Sequence, residues 1–187
     1  MALVEREAQT LVLTGCAERA RGGCGGLVLV SGEAGAGKTS FVEAWLGGQA
    51  GDARLLTGAC DPLRTPRPLG PIYDMSGELS ERTRAVLQAA EHPYDMFDAV
   101  FADLRAVPSI VIVDDLHWAD QGTVDLLRFA LRRLPTSPTL VIVALRQDEV
   151  ELDGPVRQLL GDIARSPAAT TVALPPLSLS AVTELVG

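Results

Sequence analysis

Residues 27–46 read Leu27-Val28-Leu29-Val30-Ser31-Gly32-Glu33-Ala34-Gly35-Ala36-Gly37-Lys38-Thr39-Ser40-Phe41-Val42-Glu43-Ala44-Trp45-Leu46. Leu27 to Val30 is a short, continuous apolar run with two β-branched residues, the pattern of a buried strand. Gly32 to Thr39 fits G-x-x-x-x-G-K-[ST], and Ser40 to Leu46 reads as a helix. Strand, glycine loop, Lys-Thr and helix in that order make the pattern a phosphate-binding loop. Successive backbone N–H groups wrap a phosphate, and glycine lets the backbone approach closely. The helix start adds unpaired N–H groups and the positive end of its dipole. The candidate nucleotide contacts are therefore Gly32, Glu33, Ala34, Gly35, Ala36, Gly37, Lys38, Thr39 and Ser40. Lys38 supplies a point charge by the terminal phosphate oxygens, and the Thr39 hydroxyl is a ligand for Mg²⁺. The competing reading is a chance glycine turn, and the flanking strand and helix argue against it.

The chain has 187 residues, enough for one domain with a sizeable core. Apolar residues make up 47%, which excludes a disordered chain. Its apolar runs are far shorter than a bilayer needs, so no membrane association is expected. Met1 to Thr10 carries Glu5, Arg6 and Glu7 and has no long apolar centre, so no signal peptide is expected. Cys16, Cys24 and Cys60 are scattered and contain no C-x-x-C, which fits a reducing, cytoplasmic setting rather than a disulfide framework or a zinc site. A net charge of −8 opposes direct nucleic-acid binding. With 4% aromatics, a stacking platform for single strands is not expected either.

Working outward, Leu3 to Arg21 reads as a helix, with Leu3, Leu11, Val12, Leu13, Ala8, Ala17 and Ala20 on its apolar side. Gly22 to Gly26 stops it. Arg54 to Cys60 is a second strand, and Asp61 to Pro71, with four prolines, is an extended surface loop. Glu81 to Ala90 and Tyr94 to Val107 are helices separated by Pro93. Ser109 to Val113 is the strongest strand, and its unbroken β-branched character predicts burial on both faces. A helix over Gln121 to Leu134 places Val124, Leu127, Leu131 and Leu134 at core spacing. Thr139 to Leu145 and Thr170 to Leu174 are further strands, and Gly154-Pro155 opens a helix that runs to Arg165. Strands alternate with helices, five of each kind in the core. That pattern predicts an α/β fold with a parallel sheet covered on both faces. The closing segment, Ser180 to Val186, reads as a helix start whose Val182, Leu185 and Val186 need a packing partner. The expectation is a piece of a longer chain or a natural truncation.

Asp114 ends the Ile110–Val113 strand, where an acid reaches a Mg²⁺ held by Thr39. Asp115 follows it and is placed to orient or deprotonate an attacking water. The bland alternative for the pair is a strand-end turn. Arg146 ends the Thr139–Leu145 strand, where a guanidinium faces the crevice of a parallel sheet and can report a terminal phosphate. Its alternative is a surface arginine paired with Asp148 or Glu149. For His117 and Trp118 the alternatives are a packing anchor with a loop residue, or a loop that senses nucleotide state.

Several stretches together resemble a known family. They are Leu3-Val4-Glu5-Arg6-Glu7, the Gly32–Thr39 loop, Pro68-Leu69-Gly70-Pro71, Val111 to Asp120, Asp125-Leu126-Leu127-Arg128, and Ala144-Leu145-Arg146 with Asp148-Glu149. The chain resembles the Orc1-like AAA ATPase module of the STAND class that opens large ATP-binding regulators of the LuxR family. The segment 114–120, DDLHWAD, is the most specific part. The resemblance implies a P-loop NTPase fold, a three-layer αβα sandwich on a five-stranded parallel sheet of order 5-1-4-3-2, filling residues 1–187 as one domain. It implies ATP or ADP with Mg²⁺ as ligands, Thr39 and Asp114 as metal contacts, and Lys38, Asp115 and Arg146 as the catalytic set. It also implies base-side contacts from Val4 and Arg6, with Glu5 standing where a glycine is usual. Such modules are slow ATPase switches that self-associate or contact the rest of the regulator. The lid, the winged helix, effector repeats and DNA-binding helix-turn-helix of the family are expected to lie outside this sequence. Arg128, Arg132 and Arg133 are either a solvated helix face or the source of an arginine finger.

Two rival functions share the phosphate loop. One is a kinase for a nucleotide or small molecule, for which Arg64 and Arg67 are the candidate substrate contacts. The other is a module that binds nucleotide without hydrolysing it.

Overall fold

The computed structural model describes residues 4–49, 53–63, 65, 67–150, 154–178 and 181. Five strands form one parallel sheet: β1 (Gly26–Gly32), β2 (Arg54–Ala59), β3 (Ser109–Asp114), β4 (Thr139–Arg146) and β5 (Ala169–Ala173). The order is β2-β3-β4-β1-β5, which read from the other edge is the expected 5-1-4-3-2. Seven helices lie among the described residues: α1 (Glu7–Arg21), α2 (Lys38–Gly47), α3 (Gly70–Asp74), α4 (Glu81–Ala89), α5 (Pro93–Ala106), α6 (Gln121–Leu131) and α7 (Pro155–Arg165).

Alternation along the strands builds two cores, because successive side chains leave opposite faces of a sheet. Leu27, Leu29, Val111, Val113, Val141 and Val143 pack on one face with Phe97 and Phe101 of α5, Val124 and Leu127 of α6, and Leu159 of α7. Val28, Val30, Ile110, Ile112, Leu140 and Ile142 pack on the other with Leu13 and Ala17 of α1 and Phe41 and Trp45 of α2. The result is the three-layer α/β sandwich of a P-loop NTPase. β1, β3 and β4 are buried almost end to end, which is why they read as continuous apolar runs.

Several expectations need correction. In α1, Leu11 and Val12 are 72% and 41% exposed, and the buried face is Leu13, Cys16, Ala17 and Ala20. Three small residues, Cys16, Ala17 and Ala20, beside Leu13 let this helix approach the sheet. The stretch to Pro71 is not all extended loop. Pro71 is buried in the first turn of α3, where its missing N–H costs nothing. Gly58 explains the close approach: a Cβ there would stand 2.3 Å from the Pro71 carbonyl oxygen. Pro93 likewise opens α5 rather than merely separating two helices. The helix from Gln121 ends at Leu131, and Leu134 to Thr136 form a separate tight turn around Pro135. Its four expected core positions are all buried. The expected helix Ser180 to Val186 lies, apart from Ala181, outside the described residues, as do Leu3 and Arg64.

Candidate functional site

The site lies where β1, β3 and β4 end. Parallel pairing sets Gly32 of β1 opposite Arg146 of β4, and β4 lies between β1 and the Asp114 end of β3. Residues 32–39, 114–115 and 146 therefore meet at the carboxyl edge of the sheet, the usual ligand crevice of such folds.

The loop from Gly32 turns on two glycines in the left-handed region, Gly35 (φ 76°) and Gly37 (φ 81°). Space is open where a Cβ would stand at either, so conformation alone calls for glycine there. Gly32 differs: a Cβ would come 2.7 Å from the Leu174 carbonyl oxygen, so its role is to let the chain after β5 pass close. Lys38 is buried, and its ammonium donates to the carbonyls of Gly32 at 3.0 Å and Glu33 at 2.9 Å. Burial, followed by the charge of Arg146, lowers its pKa.

Thr39 Oγ1 donates to Asp114 Oδ2 at 2.7 Å. The other Asp114 oxygen accepts the Asp115 N–H at 2.8 Å. The next residue, Asp115, adopts φ 53°, a left-handed conformation that β-carbon-bearing residues seldom take, although Asp takes it more readily than most. The turn brings the Asp115 carboxylate to 3.9 Å from Arg146 Nε and 3.9 Å from His117 Nε2. A hydroxyl and a carboxylate in contact are the hard oxygen donors that Mg²⁺ takes, and the glycine loop beside them has open space, so these residues fit a Mg-nucleotide. Among the described residues no group of three or more His, Cys, Asp or Glu side chains is arranged to hold a metal by itself.

Arg146 and Glu149 form an ion pair at 2.8 Å. The hydrogen bond between them raises the arginine's pKa and lowers the glutamate's. Glu149 Oε2 also accepts from Trp118 Nε1 at 3.3 Å and lies 3.1 Å from His117 Nε2. The His117 side chain is 1% exposed and neither ring nitrogen has an aligned hydrogen bond. Burial lowers its pKa, against the pull of Asp115 and Glu149, which favours the neutral ring. Cys60, whose N–H bonds the Asp114 carbonyl at 3.0 Å, is inert as a thiol because burial pushes its pKa up to about 12.

Arg6 is 4% exposed, and its guanidinium donates to the carbonyls of Pro175 at 2.7 Å and Ala36 at 3.5 Å. It thus ties the entry to α1 to the loop and to the chain after β5. Glu5 has φ 57°, the conformation that favours glycine, and its carboxylate accepts from Ser178 Oγ at 2.6 Å. Val4 is half-buried beside them in a turn. Ser40 lies exposed in the first turn of α2. Arg128 pairs with Asp162 at 2.6 Å, Arg133 stacks over Phe129, and Arg67 stacks over Tyr73 at 3.4 Å.

Two acids without a catalytic or binding role in the sequence analysis organise this end of the sheet. Glu149 figures there as a surface partner for Arg146 and within the Asp148-Glu149 stretch of the resemblance. Asp120 caps α6 through the Thr123 N–H and accepts the Leu69 N–H at 3.2 Å, joining the PLGP and DDLHWAD stretches. Its position ahead of Gln121 and Thr123 is a legible capping signal.

Among solved structures, the chain is similar to the Walker-type ATPase PABY2304 of Pyrococcus abyssi, at 17% identity and a TM-score of 0.61, over 98% of this chain and 57% of that one. It is similar to Cdc6p from Pyrobaculum aerophilum, at 15% identity and a TM-score of 0.66, over 99% of this chain and 49% of that one. It is also similar to a chain of Drosophila ORC bound to DNA, at 14% identity and a TM-score of 0.57, over 96% of this chain and 95% of that one. At these identities the likeness establishes the fold. The chain spans about half the length of the first two. No curated protein matches it significantly. A family model described as "AAA ATPase domain" matches residues 2–143, and the chain accordingly belongs to the AAA ATPase domain family.

Proposed function

We propose that this chain binds Mg-ATP at the Gly32–Thr39 loop and hydrolyses it slowly, as the switch module of a larger signal-transducing regulator of the LuxR type. The AAA ATPase family binds nucleotide together with Mg²⁺. The observation that carries the reading is the 2.7 Å contact between Thr39 and Asp114, with Asp115 and Arg146 at the same strand ends.

In this reading, loop N–H groups and Lys38 hold the phosphates, and Thr39 with Asp114 holds Mg²⁺, which neutralises charge on the phosphates. Asp115 takes a proton from the attacking water as its oxygen bonds the terminal phosphorus and the bond to the bridging oxygen breaks. Arg146 meets the terminal phosphate, and Arg6 and Val4 border the base side. The regulator context is supported by the DDLHWAD stretch and the N-terminal Leu3–Glu7 segment, and by the acidity that disfavours a DNA-binding role for these residues. Of the two guanidines a kinase reading needs, Arg67 is engaged with Tyr73, which disfavours substrate binding there.

The test is release of inorganic phosphate from Mg-ATP by the purified chain. Slow release that a magnesium chelator stops supports the proposal. Transfer of the phosphate to an added metabolite in preference to water contradicts it.

A further inference from the structure

One carboxylate gathers three nitrogen-bearing side chains from two separate segments. Glu149 Oε1 holds Arg146 Nη1 at 2.8 Å, and Oε2 accepts from Trp118 Nε1 at 3.3 Å and lies 3.1 Å from His117 Nε2. His117 and Trp118 belong to the turn after β3, whereas Arg146 is the last residue of β4 and Glu149 belongs to the turn that follows it. Arg146 is paired with Gly32 across β1 and β4, which sets it beside the start of the loop.

We propose that Glu149 is a positioning residue for Arg146: a counter-ligand that holds the guanidinium until a third phosphate displaces it, with the displacement reported at Trp118. This rests on nucleotide binding at the Gly32–Thr39 loop. Arg146 Nη1 is committed to Glu149, so a phosphate oxygen that takes this nitrogen must displace the carboxylate from it. The Arg146–Glu149 pair is partly exposed on both sides, so it is held weakly. A terminal phosphate carries more charge than a carboxylate and wins the arginine. A diphosphate stops short and leaves the pair intact. Glu149 thereby tempers the affinity for the triphosphate alone, without touching either nucleotide, because only the triphosphate has to break the pair. Freed from Arg146, Glu149 moves relative to the indole it accepts from, and the segment after β3 registers the state of the nucleotide. A pair that served merely to staple the turn after β4 would affect both nucleotides alike.

The chain suits an optical test, because it has two tryptophans. Trp45 is buried in α2 and donates to Thr14 Oγ1 at 3.0 Å, away from this cluster. The full chain is titrated with Mg-ADP and with the slowly hydrolysed Mg-ATPγS, reading tryptophan emission and, in parallel, heat of binding. The expected result is an emission change with the triphosphate and none with ADP. The change disappears in Trp118→Phe and in Glu149→Gln. Glu149→Gln also raises the preference for triphosphate over ADP by about three- to fivefold, the scale of a lost exposed ion pair. Equal emission changes with both nucleotides, or an unaltered preference in Glu149→Gln, overturn the inference. Heat of binding with silent emission overturns the inference alone, whereas no heat from either nucleotide overturns the nucleotide reading and the inference with it.

Discussion

Thr39 and Asp114, 75 positions apart in sequence, are joined by a 2.7 Å hydrogen bond from the hydroxyl to Oδ2. β4 separates β1 from β3 in the sheet, and the loop after β1 carries Thr39 in the first turn of α2 across to the end of β3. Two hard oxygen donors are thus brought together before any ligand arrives, and the cost of assembling them is met by folding.

Asp115→Asn keeps the side chain's size and removes its ability to accept a proton. Single-turnover hydrolysis of Mg-ATP is expected to slow by about 10²- to 10⁴-fold. ADP affinity, measured by calorimetry, should stay within a few-fold of wild type. Equal rates for the two proteins would leave binding without hydrolysis as the better description.

Asp103 makes a pH-dependent contribution to stability. Its side chain is 5% exposed and accepts from Arg54 Nη1 at 2.8 Å and the Ser80 N–H at 2.7 Å. Burial pushes its carboxyl pKa up, but the bonds from Arg54, Ser80 and Thr83 outweigh burial and hold it below 3.8. A depressed folded-state pKa contributes stability that is fully present above the unfolded value and is lost as pH falls through the folded one. Asp103→Ala is expected to cost about 1–3 kcal/mol at pH 7 in urea unfolding, as the partly buried Arg54 and the Ser80 N–H lose their acceptor. The difference from wild type should shrink as pH falls below about 3.8.

Arg6→Met tests the tie between the start of α1, the loop and the chain after β5. Leaving the Pro175 and Ala36 carbonyls without their donor is expected to cost about 1–3 kcal/mol. Thermal unfolding measures this. Because Arg6 bonds the loop backbone at Ala36, ATP and ADP affinities should fall together.

Much of the fold was legible because periodicity records burial. The runs at 27–30, 109–113 and 139–145 are apolar on both faces, which only a covered parallel sheet requires, and β1, β3 and β4 lie there. The α1 face is only partly legible: Leu13, Ala17 and Ala20 are buried as expected, whereas Ala8, Leu11 and Val12 face outward, because apolar type alone does not fix which side of a helix meets the sheet. α3 was missed because four prolines signal extended chain, although a proline in a first turn is compatible with a helix. At the site, the loop and Asp114 were legible from residue type and order alone. Glu149 was not, because an acid three residues after an arginine is common on any surface. Its meaning depends on Trp118 and His117 arriving from another strand.

The central claim, that the Gly32–Thr39 loop binds Mg-nucleotide, is tested most directly by titrating Mg-ATP into the wild-type chain and into Lys38→Ala in a calorimeter. Lys38 Nζ is the charge placed beside the loop carbonyls of Gly32 and Glu33. The account predicts saturable binding by wild type and an affinity at least about tenfold weaker in Lys38→Ala, since charge-assisted bonds to phosphate are lost. Equal affinity in the two proteins, or no binding by wild type, would contradict it.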